Sequence, residues 1–289
     1  MTDQMLRTRH LNWCGPISGN LNQVPNRNAV VFSSRLLCHD PLVCIFGRRN
    51  SVGGNNLLLQ PLRIGPIVPS SNTVMEPDFH QHIGPAGVVS TTRIFLEDVT
   101  RDAEIRMLED ELPKAVEHVR TTAPDVVVFG CTSAGALGTL AHNDGIGDII
   151  KKKVGARVVT VLGAVLTKVR TIGPRNLALF TPYAEDLTNC VASSLAEAGY
   201  PPVKAVGMGF RANLEIGRVP PSEIIRFVEF QIEGCVPDCL FLSCTNWHAI
   251  EAIEPLQQKL GIPVVTSNQA AIDEVRQAAG NRLSIESRI

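Results

Sequence analysis

The sequence predicts an α/β protein of two similar halves with mainly parallel sheets, and three observations carry that prediction. The stretch Asp125 to Gly135 reads Asp-Val-Val-Val-Phe-Gly-Cys-Thr-Ser-Ala-Gly, and a second version at Pro237 to Thr245 reads Pro-Asp-Cys-Leu-Phe-Leu-Ser-Cys-Thr. Pro-Asp, five residues and Cys-Thr therefore occur twice. Each copy is an apolar run bounded by Pro-Asp and a small residue, as expected of a buried parallel strand handing over to a helix. The third observation is spacing: Gly65 to Cys131 is 66 residues and Gly173 to Cys244 is 71, so the halves repeat the same order of elements. Cys131 and Cys244 thus take equivalent strand ends. If the halves face each other, the two sulfurs flank one cleft, as two-sided acid–base chemistry requires.

Taken in order, residues 1 to about 61 do not share the pattern. They hold six arginines, no lysine and two acidic residues, with apolar patches only at Val30–Phe32 and Leu42–Phe46. A basic, acid-poor segment is compatible with a transit peptide, although it lacks an amphipathic helix; the other reading is an upstream region translated through a misplaced start. Little ordered structure and no catalytic residue are expected there. From Arg63 to Pro69 the chain reads as a first strand, ending in the loop Ser70-Ser71-Asn72-Thr73. Asp102 to Arg120 reads as a helix with Ile105, Leu108, Leu112, Val116 and Val119 on one face and a kink at Pro113. The strand over 125–130 and the Cys131 turn follow. Next come small residues over Ser133 to Gly138 that suit a closely packed helix, a helix over Ile146 to Lys153, and a strand over Arg157 to Leu162.

In the second half, Asn176 to Phe180 reads as a strand and Thr181-Pro182-Tyr183 as its loop. Glu185 to Ala198 is helical, stopped at Gly199. A strand covers Val203 to Met208, and Ser222 can cap a helix over Glu223 to Glu233. The Cys244 strand and turn, a helix over Trp247 to Leu260, a strand over Pro263 to Thr266 and a last helix over Gln269 to Ala279 complete the chain.

Composition narrows the class. With 289 residues, 44% hydrophobic and 19% charged, the chain can build a large core as an ordinary soluble protein. Its formal net charge of −1 gives no reason to expect nucleic-acid or membrane partners. The longest apolar run, Ala156 to Val169, is broken by Gly163 and Lys168 and is too short to span a membrane. The eight cysteines read as reduced thiols of a cytoplasmic enzyme, with Cys190 and Cys239 in the core. Cys235, Cys239 and Cys244 have no C-x-x-C spacing, and His80-x-His82 has no obvious partners, so a structural metal is not expected. Gly207-x-Gly209 lacks the third glycine and the acidic residue of a dinucleotide site.

A cysteine at the start of a helix sees unpaired backbone N–H groups, which favour its thiolate. The N–H groups of Thr132, Ser133 or Thr245 there can also point at a carboxylate. One motif can thus hold a carboxylate and attack or deprotonate the carbon beside it. Taken singly, the pieces also have plain structural roles. A strand-end cysteine can be a buried thiol, the Ser-Ser-Asn-Thr loop can be turn chemistry, Thr-Pro-Tyr can anchor a ring, Asn213 can cap a helix, and His248 can be a packing or surface residue.

Five pieces in order nevertheless resemble the aspartate/glutamate racemase superfamily, and within it the branch of maleate cis–trans isomerase and arylmalonate decarboxylase. They are Pro69-Ser70-Ser71-Asn72-Thr73, the Cys131 turn, Thr181-Pro182-Tyr183, Asn213 in Asn-Leu-Glu-Ile-Gly-Arg, and Cys244-Thr245; the resemblance runs from about Arg63 to the C-terminus. It implies that Cys131 adds to the substrate double bond, that Cys244 protonates the adjacent carbon, and that Asn72, Tyr183 and Asn213 hold carboxylates or developing negative charge. No metal, nicotinamide or pyridoxal cofactor is implied. Cys131-Thr132-Ser133 shares its Thr-Ser pair with the decarboxylase branch, where the pair helps bind a carboxylate, yet that branch has glycine where this chain has Cys131. One cysteine suffices for one-sided protonation; two permit isomerisation or racemisation.

The expected fold is therefore two Rossmann-like three-layer α/β domains related by a pseudo-twofold, with the site in the interdomain cleft. Residues 62–168 plus 267–289 form one domain and 169–266 the other, the last helix crossing back by resemblance. The expected activity is cofactor-independent isomerisation of a small carboxylate, maleate to fumarate foremost. An amino-acid or hydantoin racemase, an arylmalonate-type decarboxylase and a non-catalytic carboxylate-binding protein stand as alternatives, and association into a homo-oligomer is left open.

Overall fold

The structure, a computed structural model, describes residues 61–280. The basic N-terminal segment as far as residue 60, with its two apolar patches, lies outside the described residues. In the first half the chain runs through β1 (Leu62–Pro69), α1 (Met75–Ile83), β2 (Gly87–Val89), β3 (Thr92–Ile94), α2 (Arg101–Arg106), a π turn over Met107–Glu111, α3 (Leu112–Arg120), β4 (Val126–Phe129), α4 (Thr132–Gly135), α5 (Leu140–Val154), β5 (Arg157–Thr160) and α6 (Val161–Ile172). The second half holds β6 (Leu177–Tyr183), α7 (Glu185–Glu197), β7 (Lys204–Phe210), α8 (Asn213–Ile216), α9 (Pro221–Gln231), β8 (Cys239–Leu242), α10 (Ile250–Leu260), β9 (Val264–Thr266) and α11 (Ser267–Ala279).

Two parallel sheets result, and their strand orders match. The first runs β2-β1-β4-β5, with β3 continuing the β2 edge of β1; the second runs β7-β6-β8-β9. Every residue of β4, β6 and β8 is buried, as strands covered on both faces must be. The repeated Pro-Asp has a local reason. Asp125 and Asp238 each sit beside the start of the neighbouring central strand, where Asp125 Oδ2 accepts from Arg63 N at 2.9 Å and Asp238 accepts from Arg175 N and Asn176 N at 2.9 Å each. Five residues later both strands leave the sheet by equivalent bonds, Gly130 N to Ile67 O at 2.8 Å and Ser243 N to Phe180 O at 2.9 Å. Gly130 must be glycine because a Cβ there would lie 2.6 Å from Met75 Sδ and 2.8 Å from Val68 Cγ1.

Several elements depart from the sequence reading. The helix expected over 102–120 runs from Arg101 to Arg120, and the disturbance expected at Pro113 takes the form of the π turn over Met107–Glu111 just before it. The wide turn changes the helical phase. Ile105 and Leu108 are only half-buried, while Glu104 and Met107 are turned inward at 0% and 1% exposure. The strand expected to reach Leu162 stops at Thr160, whose hydroxyl accepts from Gly163 N and caps α6. The apolar run passes from strand into the first turns of that helix without a break, so only the Thr160 cap marks the boundary. Thr181-Pro182-Tyr183 belongs to β6, and a register shift against β7 accommodates the proline. Ser222 is not a cap, since α9 starts at Pro221 with Pro220 as its N-cap. Helix α10 begins at Ile250, leaving Trp247 to Ala249 in a turn. Helix α11 packs on α6, α1 and β5, back against the first sheet.

Candidate active site

The ends of β1, β4, β6 and β8 converge on a narrow pocket of about 230 Å³ between its atoms. Cys131 reaches it from the turn after β4 and Cys244 from the turn after β8, both 5% exposed. Asn72, Ser133, Tyr183, Asn213 and Thr245 line the same pocket. Thr132 does not; its hydroxyl donates to Ser267 Oγ at 2.9 Å. A roomier hollow, about 650 Å³, lies beside Phe95, Glu97, Arg106 and Glu111 and contains no thiol. His248 is outside the pocket, with its Nδ1 3.2 Å from Glu251 Oε1. The five cysteines among the described residues are free thiols; Cys239 is buried and Cys190 is half-buried, 3.6 Å from Arg101 Nη1.

Polar side chains brace the pocket wall. Asn72 Oδ1 accepts from Val74 N and Met75 N at 3.1 and 3.0 Å, and its Nδ2 donates to Thr245 Oγ1 at 3.0 Å. Thr245 donates in turn to Gly130 O at 3.0 Å, joining the two cysteine turns directly. Asn213 donates to Ser71 Oγ at 2.9 Å. Asn246, which the sequence reading passed over, accepts from Thr73 N at 2.8 Å, donates to Asn213 O at 2.6 Å and gives its backbone N–H to Cys244 Sγ at 3.2 Å. Its signal was adjacency alone, one residue beyond Cys244-Thr245.

The electrostatics overturn one expectation. Helix termini were expected to favour thiolates, but burial outweighs them: Cys131 is pushed well above the ordinary thiol range by burial and then by the nearby Glu104 carboxyl, and Cys244 is pushed up to about 12 by burial. Helix α4 is a single turn, and the Cys244 turn leads into no helix until Ile250, so little dipole opposes desolvation. The Tyr183 hydroxyl, lining the same pocket, pulls the Cys244 pKa part of the way back down, while burial and the two thiols raise Tyr183 itself. Glu104 was missed altogether. It is fully buried on α2, its Oε1 accepts from the Ser133 hydroxyl and lies 3.9 Å from Cys131 Sγ, and its Oε2 has no hydrogen-bond partner among the described residues. Burial raises its carboxyl to about 8. A signal did exist, because Glu104 precedes Met107 and Leu108 by three and four residues, within the apolar stripe. Among the described residues, no lysine, arginine or histidine lines the pocket.

A family model described as arylmalonate decarboxylase matches residues 64–288. The chain belongs to the arylmalonate decarboxylase family. Enzymes of two names are similar to this chain. A maleate isomerase of Geobacillus stearothermophilus is 27% identical over 232 residues, covering 74% of this chain and 90% of that protein. An arylmalonate decarboxylase of Bordetella bronchiseptica is 27% identical over 219 residues, covering 75% and 90%. Among solved structures, a double mutant of arylmalonate decarboxylase in its liganded form matches with a TM-score of 0.70 at 26% identity, over 76% of this chain and 94% of that one. A Nocardia farcinica maleate cis–trans isomerase, a cysteine-to-serine mutant holding a covalently bound succinylcysteine intermediate, has the same fold, with a TM-score of 0.70 at 21% identity over 76% and 93%.

Proposed function

We propose that the protein is a cofactor-independent isomerase that converts a small unsaturated dicarboxylate, maleate foremost, to its trans isomer through a covalent adduct on Cys131. The observation that carries this reading is the pair of thiols, Cys131 and Cys244, brought to one enclosed pocket from equivalent turns of two matching sheets. The sulfur of Cys131 adds to one alkene carbon, and the π electrons move toward the carboxylate on the other, giving an enediolate. Amide and phenol groups of Asn72, Asn213 and Tyr183 suit that charge, being donors that do not themselves become bases. The Cys244 thiol protonates the carbon, the new single bond rotates, and the Cys244 thiolate takes the proton back as the Cys131 carbon–sulfur bond breaks. The maleate isomerases among its relatives support this reading.

The same pair of thiols also suits a racemase, and the family model names a decarboxylase. The decarboxylase reading is weakened by Ser133, whose hydroxyl is engaged by Glu104 rather than left for a substrate carboxylate. Proton NMR of the purified full chain with maleate in deuterated buffer, beside Cys131→Ser, tests the proposal. Fumarate formed only by the intact protein is the expected result. Persistence of maleate overturns it, and exchange of an amino acid's α-proton or loss of carbon dioxide from an arylmalonate then identifies the racemase or decarboxylase.

A further inference from the structure

Addition of Cys131 to a double bond requires its thiolate, and among the described residues the pocket has no cationic side chain to stabilise one. It does contain a carboxyl group in contact with that sulfur. We propose that Glu104 is the general base that removes the Cys131 proton when the sulfur attacks and returns it when the adduct collapses, with the Ser133 hydroxyl positioning its carboxylate. The inference rests on the two-thiol reading of the site.

The geometry supplies what a base needs. The Cys131 thiol donates to Glu104 Oε1 across 3.9 Å, a long but formed sulfur hydrogen bond of the kind that tightens when a substrate enters. The same oxygen accepts the Ser133 hydroxyl, which is itself 3.7 Å from Cys131 Sγ, so carboxyl, thiol and hydroxyl form one cluster. The second carboxyl oxygen, Oε2, is buried without a partner among the described residues, in a residue that lines the pocket. Packing alone gives no reason for an acid here. Glutamine would fill the same volume and accept the same hydroxyl without placing an ionisable group in the core.

The protons balance. With Glu104 ionised and Cys131 a thiol, the pair carries one negative charge. Transfer of the S–H proton to the carboxylate leaves the sulfur lone pair to form the carbon–sulfur bond, and Glu104 stays a neutral acid while the adduct lasts. When the adduct breaks, the leaving thiolate recovers that proton. With its carboxyl held near 8, the proton-accepting form of Glu104 grows as pH rises through that value, so the exchange becomes available over the same range. The groups facing Glu104 are Cys131 and Ser133 from the β4 turn, Tyr183 at the end of β6, Asp186 and Cys190 on α7, and Cys244 across the pocket. Arg101 of its own helix is held by Leu137 O and Cys190.

Alkylation of Cys131 by iodoacetamide tests the inference without a substrate, by mass spectrometry of the digested full-length protein between pH 6 and 10. A base and a spectator charge predict opposite signs. If Glu104 only repels a neighbouring thiolate, Glu104→Gln labels Cys131 faster; if it is the base, the variant labels on the order of 100-fold more slowly at pH 8 and loses the rise through about pH 8. Labelling of Glu104→Gln at an equal or greater rate, or a retained rise, overturns the inference. Glu104→Asp keeps a carboxyl but withdraws it by one methylene. Its expected rate is intermediate with a displaced rise, and an unchanged profile overturns the inference even if the glutamine variant fails to fold. Because labelling needs no maleate, a protein inert toward maleate still reports on Glu104. Where maleate does turn over, Glu104→Gln lowers kcat with KM nearly unchanged.

Discussion

Tyr183 reaches Cys244 from the end of β6, and its hydroxyl is the one side-chain group that lowers that thiol's pKa against the cost of burial. Tyr183→Phe removes the donor and little volume, so we expect kcat to fall by on the order of 10²- to 10³-fold while the melting temperature moves by only a few degrees. Steady-state kinetics and calorimetry on the same preparation check this, and an unchanged kcat would leave Tyr183 a packing residue. Cys131→Ser and Cys244→Ser should each abolish turnover with the fold intact by circular dichroism, whereas a silent binding protein would lose little affinity for the carboxylate from either. Both cysteines were legible in the sequence because duplication at fixed spacing marks position without needing contacts. Asn72, Tyr183, Asn213 and Thr245 were legible through resemblance. Glu104 was harder to read: its place in the apolar stripe marks it as inward-facing, but its contact with Cys131 spans 27 residues and nothing local announces it.

At the scale of elements, strands were easier to read than the helices between them. Fully buried parallel strands are short apolar runs with hard boundaries, so β1, β4, β6 and β8 were placed to within a few residues. Helix α6 hid because its first turns continue the apolar run of β5, and α1 because it is only nine residues long with no side-chain cap at its start. The Pro-Asp pairs show how a repeated dipeptide becomes a repeated joint. Asp238 accepts backbone N–H groups of Arg175 and Asn176 at the entrance to β6, as Asp125 accepts that of Arg63 at the entrance to β1. These bonds hold the Asp238 pKa below the ordinary carboxylate value, so their stabilisation is present at neutral pH and is lost as pH falls through that lowered pKa. Asp238→Ala should cost about 1 kcal/mol, the net worth of ordinary hydrogen bonds at a partly exposed site, read as a lower urea midpoint at pH 7 with unchanged slope. A shift of zero would mean that water replaces the carboxylate without penalty.

The two sheets belong to one working molecule because buried polar bonds tie the cysteine turns to the helix that returns between them. Thr245 links Asn72 to Gly130, and Asn268 on α11 donates both to Thr245 O at 3.0 Å and to Asp78 Oδ2 on α1 at 2.7 Å. Asp78 is 5% exposed and burial raises its pKa from 3.8 to about 6, offset in part by the Asn268 amide; Glu251 opposes and His248 favours its charged form. The sign follows from that direction. A carboxyl whose folded pKa is raised favours the folded state while it is protonated, so its contribution is fully present below pH 3.8 and is lost as pH rises through about 6. Above that range the fold carries a buried, incompletely compensated charge costing at most about 3 kcal/mol, the 2-unit shift converted at 1.36 kcal/mol per unit. Asp78→Asn keeps an acceptor for Asn268 and removes the titration. We therefore expect the variant to melt at least as high as the natural protein at pH 7, with a flatter melting profile between pH 4 and 7. A variant that melts several degrees lower at pH 7 would show that the ionised carboxylate holds the α1–α11 joint together, and that the charge stabilises the assembly of the two halves instead of burdening it.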